Sequence, residues 1–293
     1  MFSIDEIPYQ NQQDCFTMFY TCLADAVTRT LGRSGEGVVR RAVQAFAGGI
    51  GADACQAIIK NAQQPNLKTL VEQGADCFID PRFRFLPLRA TEQELWLEIH
   101  TCPMADFWRL HNKEPLGQIY YEEFFAAYFQ AFSGGVAQCN LSKTLTCRFD
   151  NHCRLSVYYR PANLPASRRA QVFTLTCQPP SASLVRPAFP TGESGMGKRF
   201  YRLAASFYQE GEAAGEEGLC AVALGLRDAA VQIAALLRHQ AEARGTVADQ
   251  DFMLHNNPAA QTEALAALPE KVQRCLKQNY SIPFERAMAQ AIG

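Results

Sequence analysis

Residues 94–100 read ELWLEIH, and at this stretch the period of the apolar pattern changes. After Glu94, acidic residues or His alternate with apolar residues, which is the period of two that a β-strand with one wet face shows. Pro103 follows almost at once, and proline suits the first turn of a helix. The stretch therefore predicts a strand that leads directly into a helix over residues 104–110.

The sequence before this strand carries apolar residues at the three-to-four spacing of helices over residues 12–77. Glycines punctuate that pattern and are expected to end or break helices where they occur. The predicted helices are residues 12–32, ending at Gly32; residues 36–46, broken at Gly48-Gly49; residues 52–61; and residues 67–73, with Gly74 at the end.

The sequence after the strand predicts an aromatic helix over residues 114–132 and two further strands, over residues 136–147 and 153–160. Asp150-Asn151 supplies turn chemistry between these strands, so we expect a hairpin. Residues 161–197 are rich in Pro and Gly and predict an irregular connection, with one strand at 171–177. The expected helical tail comprises residues 198–209, 216–244 and 261–278.

These elements define an α+β fold, mainly helical, with a small antiparallel sheet covered by helices. The expected domains are a catalytic region over residues 1–160, the connection over 161–197, and a helical C-terminal region over 198–293 that packs on the first part. The apolar helical tail could also serve as the surface of a homodimer.

Composition excludes several classes of function. The 28 Lys and Arg residues balance 29 Asp and Glu residues, so no basic excess indicates nucleic acid or an anionic membrane as a partner. No apolar run approaches the roughly 20 residues of a spanning helix, and the N-terminus does not resemble a signal peptide. The 11 Cys residues form no Cys-x-x-Cys pair, which favours reduced thiols in a cytoplasmic protein.

Residues 192–199 read GESGMGKR and nearly match the loop that binds nucleotide phosphates. That loop needs a Ser or Thr where this chain has Arg199, and it needs a preceding strand, which Pro187 and Pro190 argue against. We interpret the stretch as a linker that enters a helix, with Lys198 and Arg199 solvated.

Reactive side chains concentrate in residues 100–102 and 143–153. A thiol at Cys102 would lie near a helix N-terminus, whose partial positive charge stabilises thiolate. One hypothesis makes a cysteine the nucleophile, with His or Glu as the acid/base partner. A second has His100, Cys102, His152 and Cys153 bind zinc, although their spacing is poor for a zinc site. A third leaves both cysteines as packed core thiols.

Four short motifs occur in a recognisable order: CPMADFW at 102–108, LGQIY at 116–120, LSKTL at 141–145 and CRL at 153–155. Together they resemble the L-2-amino-thiazoline-4-carboxylic acid hydrolase family over about residues 15–160. The resemblance implies ring-opening hydrolysis of a cyclic amidine, or a related carbon–nitrogen bond, in a small heterocycle derived from an amino acid. Members often have Cys-Glu where this chain has Tyr121-Glu122.

With this resemblance we predict catalytic residues and a pocket for a small-molecule substrate. Cys102 is the expected nucleophile, and Glu122 or His152 is the expected acid/base. No cofactor is expected, zinc being the alternative. A non-hydrolytic biosynthetic enzyme and a small-ligand sensor are the rival functions. The remaining predicted site residues are Cys153 among the catalytic group, Lys143 or Arg148 for a substrate carboxylate, and Trp108, Tyr120, Tyr121 and His100 around the substrate.

Overall fold

The computed structural model describes residues 6–72, 80–159 and 195–289. Two compact units are present, one formed by residues 1–43 with 192–293 and the other by residues 44–191. The predicted connection lies almost entirely outside the described residues, as does the strand expected at 171–177. The domain boundaries derived from the sequence therefore stay a prediction.

The second unit contains a four-stranded antiparallel sheet in the order β1-β2-β4-β3. The predicted hairpin is present, and the predicted α+β fold is confirmed. Leu97 pairs with Leu155 and Ile99 with Cys153, so one face of the two central strands is apolar. The strands are β1 (Arg84–Ala90), β2 (Glu94–Thr101), β3 (Ala137–Lys143) and β4 (Cys153–Tyr159).

Strand β1 was not predicted from the sequence. It is an edge strand that pairs only with β2, and its register shifts near Arg84 and again between Pro87 and Arg89. Proline cannot donate a ladder hydrogen bond and is tolerated at a sheet edge. These irregularities remove the simple alternation by which sequence reasoning recognises a strand.

Four helices belong wholly or partly to this unit: α2 (Arg33–Lys60), α3 (Leu67–Glu72), α4 (Pro103–Leu110) and α5 (Glu114–Phe132). The predicted break at Gly48-Gly49 is wrong, because α2 runs through both glycines without interruption. Close packing requires a glycine at position 51 of α2, because a Cβ there would lie 2.1 Å from the carbonyl oxygen of Tyr128. The contact between α2 and α5 therefore requires a glycine at a position where helix propensity alone disfavours it.

The first unit is helical, with α1 (Ile7–Leu31) packed along α7 (Glu216–Glu242). Phe19 of α1 stacks on Phe200 of α6 (Met196–Ala213), with ring centroids 3.8 Å apart. The single helix expected over 261–278 is wrong, because Pro269 and a π-helical turn at Lys277–Ser281 divide it. The remaining helices are α8 (Gln250–Asn256), α9 (Thr262–Ala266), α10 (Glu270–Leu276) and α11 (Ile282–Ala289), with a 3-10 turn at Pro258–Ala260.

The helix predicted after the near phosphate loop is present, since α6 begins at Met196 after Gly195, whereas residues 192–194 lie outside the described residues. The expectation that Arg199 is solvated is wrong, because its side chain is buried in the first unit. Helices α2 and α7 are long and apolar enough to cross a membrane by length and composition alone, a test that core helices of soluble proteins also pass. The absence of a membrane segment therefore stays a prediction.

Candidate active site

Cys102 lies where β2 passes into α4, near a helix N-terminus as predicted, and it is the N-cap residue of α4. Its backbone is extended, and Pro103 occupies the first helical position, where the missing N–H costs no hydrogen bond. The Cys102 side chain is buried, and the hydroxyl of Tyr121 donates a hydrogen bond to its Sγ over 2.9 Å. Tyr121 lies on α5, so the two helices after β2 bring this pair together.

The acidity of Cys102 runs opposite to the prediction from the helix dipole. Burial raises the pKa of the thiol to about 11. The Tyr121 hydroxyl and the first-turn amides of Ala105 and Met104 act to lower that pKa, but together they do less than desolvation. The expected stabilisation of a thiolate is therefore present but outweighed, and the thiol is protonated at neutral pH.

Cys153 is the second thiol of this cluster and the first residue of β4. It is fully buried, and its Sγ accepts a hydrogen bond from the backbone N–H of Leu145 over 3.2 Å. Burial and the nearby Cys102 raise the pKa of the Cys153 thiol to about 12. Burial and the two thiols likewise raise the pKa of Tyr121. We call Cys102, Tyr121 and Cys153 the thiol cluster.

Trp108 and Tyr120 wall the thiol cluster. The Trp108 ring is fully buried and meets Tyr121 edge to face, with centroids 5.5 Å apart. The Trp108 and Tyr120 centroids are 5.7 Å apart. A Cβ on Gly117 would lie 2.2 Å from the Trp108 ring, so the indole rests on the backbone of α5. This contact gives the Leu-Gly motif a physical reason, since any larger residue would displace the tryptophan.

An amide–hydroxyl network holds the segment after β3 against α5. Thr144 and Thr146 both donate hydrogen bonds to Oε1 of Gln118, over 2.6 and 2.7 Å. The Gln118 amide in turn donates to Oε1 of Glu122 over 2.8 Å. Glu122 thus lies on the exposed side of α5, and Arg148 is exposed as well.

An apolar cavity lies on the same face of the sheet as Cys153. Its enclosed space is about 40 Å³, and the space between its lining side chains is about 510 Å³ when the part open to solvent is counted. The described lining contains no charged side chain, and it comes from α3, β1, β2, β4 and α5. Residues from each of these elements are Leu70, Phe85, Leu97, Leu155 and Phe125.

The opposite face of the sheet carries a second polar cluster, around Glu98 of β2. Nε of Arg154 donates to Glu98 Oε1 over 3.0 Å, and Nε2 of His100 lies 3.1 Å from Glu98 Oε2. His152 stacks on His100 with centroids 5.4 Å apart, and its Nε2 lies 3.4 Å from Glu98 Oε1. We call Glu98, His100, His152 and Arg154 the Glu98 cluster.

Burial and neighbouring charges together set the pKa values in the Glu98 cluster. Burial acts to raise the pKa of Glu98, but the Arg154 hydrogen bond and the charges of His152, Arg154 and His100 together lower it. Burial lowers the pKa of His152, and the charges of Lys143 and Arg154 act in the same direction against the attraction of Glu98. Lys143 thus belongs electrostatically with this cluster.

The residues predicted from the sequence therefore fall into separate groups. The thiols, Tyr121 and the aromatic walls are together, whereas both histidines lie on the other face of the sheet. No hydrogen bond or ion pair among the described residues joins Cys102 to Glu122 or His152. Sequence reasoning missed Glu98, Arg154 and Gln118. The spacing of Glu98 and His100 by two along a strand was the available signal, since it places both on one face.

The zinc hypothesis required both thiols and both imidazoles around one point, and the structure divides them between two clusters. No group of three or more His, Cys, Asp or Glu side chains among the described residues is arranged to hold a metal ion.

Residues 12–155 match the sequence model of the family described as L-2-amino-thiazoline-4-carboxylic acid hydrolase. The resemblance drawn from the motifs is therefore confirmed over this segment, which is just under half of the chain. The thiol cluster, the Glu98 cluster and the whole described cavity lining lie within it. No curated protein and no solved structure matches the chain.

Proposed function

We propose that this protein is a hydrolase that opens a ring at a carbon–nitrogen double bond in a small heterocycle derived from an amino acid. The observation that carries the proposal is the Cys102 thiol, held by Tyr121 inside the segment that matches a family named for such a hydrolase. Covalent catalysis needs a nucleophile and a proton-transfer group within hydrogen-bonding distance, and the Tyr121 hydroxyl is such a group beside Cys102.

In the proposed reaction, the Cys102 thiol gives up its proton and its sulfur bonds to the electrophilic carbon of the C=N bond. The electron pair of that bond moves to nitrogen, which takes a proton. The nitrogen then releases that proton and re-forms the C=N bond as one bond from this carbon to a ring heteroatom breaks. The electron pair of the broken bond stays on the heteroatom, which takes up a proton, and a thioimidate-type adduct is left on the enzyme. Water adds to the adduct, the carbon–sulfur bond to Cys102 breaks, and the thiol is restored.

Tyr121 is the proposed proton donor to the nitrogen. Its hydroxyl already contacts the Cys102 sulfur, and its raised pKa keeps it protonated at neutral pH. The acid/base roles predicted for Glu122 and His152 remain hypotheses, because each would require a movement or a bridging water to reach Cys102.

The proposal is tested by replacing Cys102 with Ser and measuring hydrolysis of 2-amino-thiazoline-4-carboxylate. We expect a loss of kcat on the order of 10³-fold or more, since removing a nucleophile disables the whole catalytic unit. The matched control is Cys139→Ser, because Cys139 is a thiol of β3 whose pKa burial also raises, to about 12. Wild-type turnover in Cys102→Ser would contradict the nucleophile assignment.

A second candidate function is a small-ligand-binding domain without chemistry. The observation that favours it is the raised pKa of Cys102, about 11, because an un-ionised thiol is a poor nucleophile. Alkylation by iodoacetamide, followed over pH with and without the thiazoline, separates the candidates. A hydrolase should show a Cys102 pKa that falls when the thiazoline binds, whereas a binding domain should show an unchanged, slow reaction.

A further inference from the structure

Helix α5 and strand β4 each carry residues of both the thiol cluster and the lining of the apolar cavity. On α5, Tyr121 of the cluster stacks on Phe125 of the lining one turn later, with ring centroids 6.0 Å apart. On β4, Cys153 of the cluster and Leu155 of the lining point to the same face, two residues or about 7 Å apart. The thiol cluster therefore neighbours the cavity lining along both elements.

The apolar lining determines which chemical groups can bind in the cavity. Its described side chains are leucines, phenylalanines, Val71 and Tyr128. A carboxylate placed there would lose its hydration without a charged partner, which is strongly unfavourable. An aliphatic or aromatic group would lose no hydrogen bond and would gain contact with the rings of α5. The polar end of a ligand therefore belongs outside the lining.

We propose that the cavity binds an apolar arm of the substrate while the reacting ring lies toward Cys102. The substrate class is then a small heterocycle that carries an alkyl or aryl substituent on its C=N carbon. Such a substrate is larger than the 2-amino-thiazoline of the family name. The inference rests on the proposed function, because it assumes that the thiol cluster is where the ring reacts.

The first test measures kcat/KM for thiazoline-4-carboxylates with 2-methyl, 2-butyl or 2-phenyl groups, following the addition of one water by mass spectrometry. Each methylene taken into the cavity should raise kcat/KM about three- to fourfold, as burial of a CH₂ group predicts. The 2-butyl compound should therefore exceed the 2-methyl compound by about 30-fold or more. Equal kcat/KM values across the series would overturn the inference.

Filling the cavity should remove this gain. Val71→Phe adds a ring at a half-buried lining position, and Val136→Phe makes the same substitution at a half-buried position outside the lining. We expect the advantage of the 2-butyl compound to disappear in Val71→Phe and to persist in Val136→Phe. Val71→Leu replaces the Phe variant if circular dichroism shows that the latter is unfolded. An advantage that survives in the filled variant overturns the inference.

The second test uses toluene as a probe and needs no catalysis. Toluene should bind the wild-type protein and Val136→Phe but not Val71→Phe, as measured by ligand-observed NMR. Toluene binding without hydrolysis of any thiazoline would overturn the proposed function and leave the cavity as an apolar ligand site. Hydrolysis of the 2-amino compound without toluene binding or a gain along the series would overturn this inference alone.

Discussion

The two faces of the small sheet place buried titratable groups in opposite electrostatic states. On the helix-covered face, Cys102 and Cys153 have raised pKa values because burial outweighs their hydrogen-bond donors, which are all neutral, and the weaker effects of nearby charges. On the other face, Glu98 is also buried, yet its pKa is lowered because Arg154 and two imidazoles surround it. Burial favours the neutral form in both places, and the charge of the neighbours decides the outcome.

The two faces of the sheet are therefore expected to have different roles. On the thiol face desolvation is the largest effect on both thiols, so a nucleophile there needs a ligand to change its surroundings. The Glu98 face is already ionised and cross-linked by hydrogen bonds between β2 and β4. It holds the two strands that carry Cys102 and Cys153, and we expect it to contribute to their placement.

The largest expected effect comes from disturbing the packing of the thiol face. Gly117→Ala places a Cβ within 2.2 Å of the Trp108 ring, and overpacking of this kind costs about 1–3 kcal/mol. Urea denaturation should show that loss. Gly37→Ala is the control, because its Cβ would meet only the guanidinium of Arg41 at 3.4 Å, and it should not destabilise the protein. Unchanged stability in Gly117→Ala would refute the close contact.

A smaller effect should appear at alkaline pH. The Cys102 thiol ionises near its ordinary pKa in the unfolded chain but only near 11 in the folded protein. Its stabilising contribution is therefore complete below about pH 9 and is lost as pH rises through about 11. We expect Cys102 to account for about 1 kcal/mol of stability lost between pH 8 and 10. Cys102→Ser should flatten this part of the urea-denaturation profile, and an unaltered profile would show that the thiol is not desolvated.

The smallest expected effect is on the Glu98 face at acid pH. The pKa of His152 is lower in the folded protein than the value of about 6.5 expected in the unfolded chain. The stability that the neutral imidazole contributes is therefore present above about pH 6.5 and is lost as the pH falls through the folded-state pKa. Solvent screening near exposed Arg154 keeps the change below about 1 kcal/mol. His152→Gln should flatten the profile below pH 6.5, while His255→Gln, an exposed histidine of α8, should not. Identical profiles for both variants would contradict the assigned burial effect.

Much of the architecture follows from the sequence alone. The change from helical to strand periodicity located β2, and proline after Cys102 located the start of α4. The motifs indicated the family resemblance over about residues 15–160, and the family model matches residues 12–155. These are local signals, because backbone geometry fixes both the alternation of a strand and the first turn of a helix.

Only the tertiary structure decided where the chemistry-bearing side chains meet. The two consecutive glycines of α2 predicted a break, but packing against segments distant in sequence keeps that helix continuous. His152 and Cys153 are adjacent in sequence, yet the pleat sends them to opposite faces of the sheet. The predicted thiolate at Cys102 depended on a helix terminus that the sequence located correctly, whereas the raised pKa depended on burial, which no local pattern determines. Desolvation is a property of the whole packed neighbourhood, and for that reason the sequence located the thiol but not its acidity.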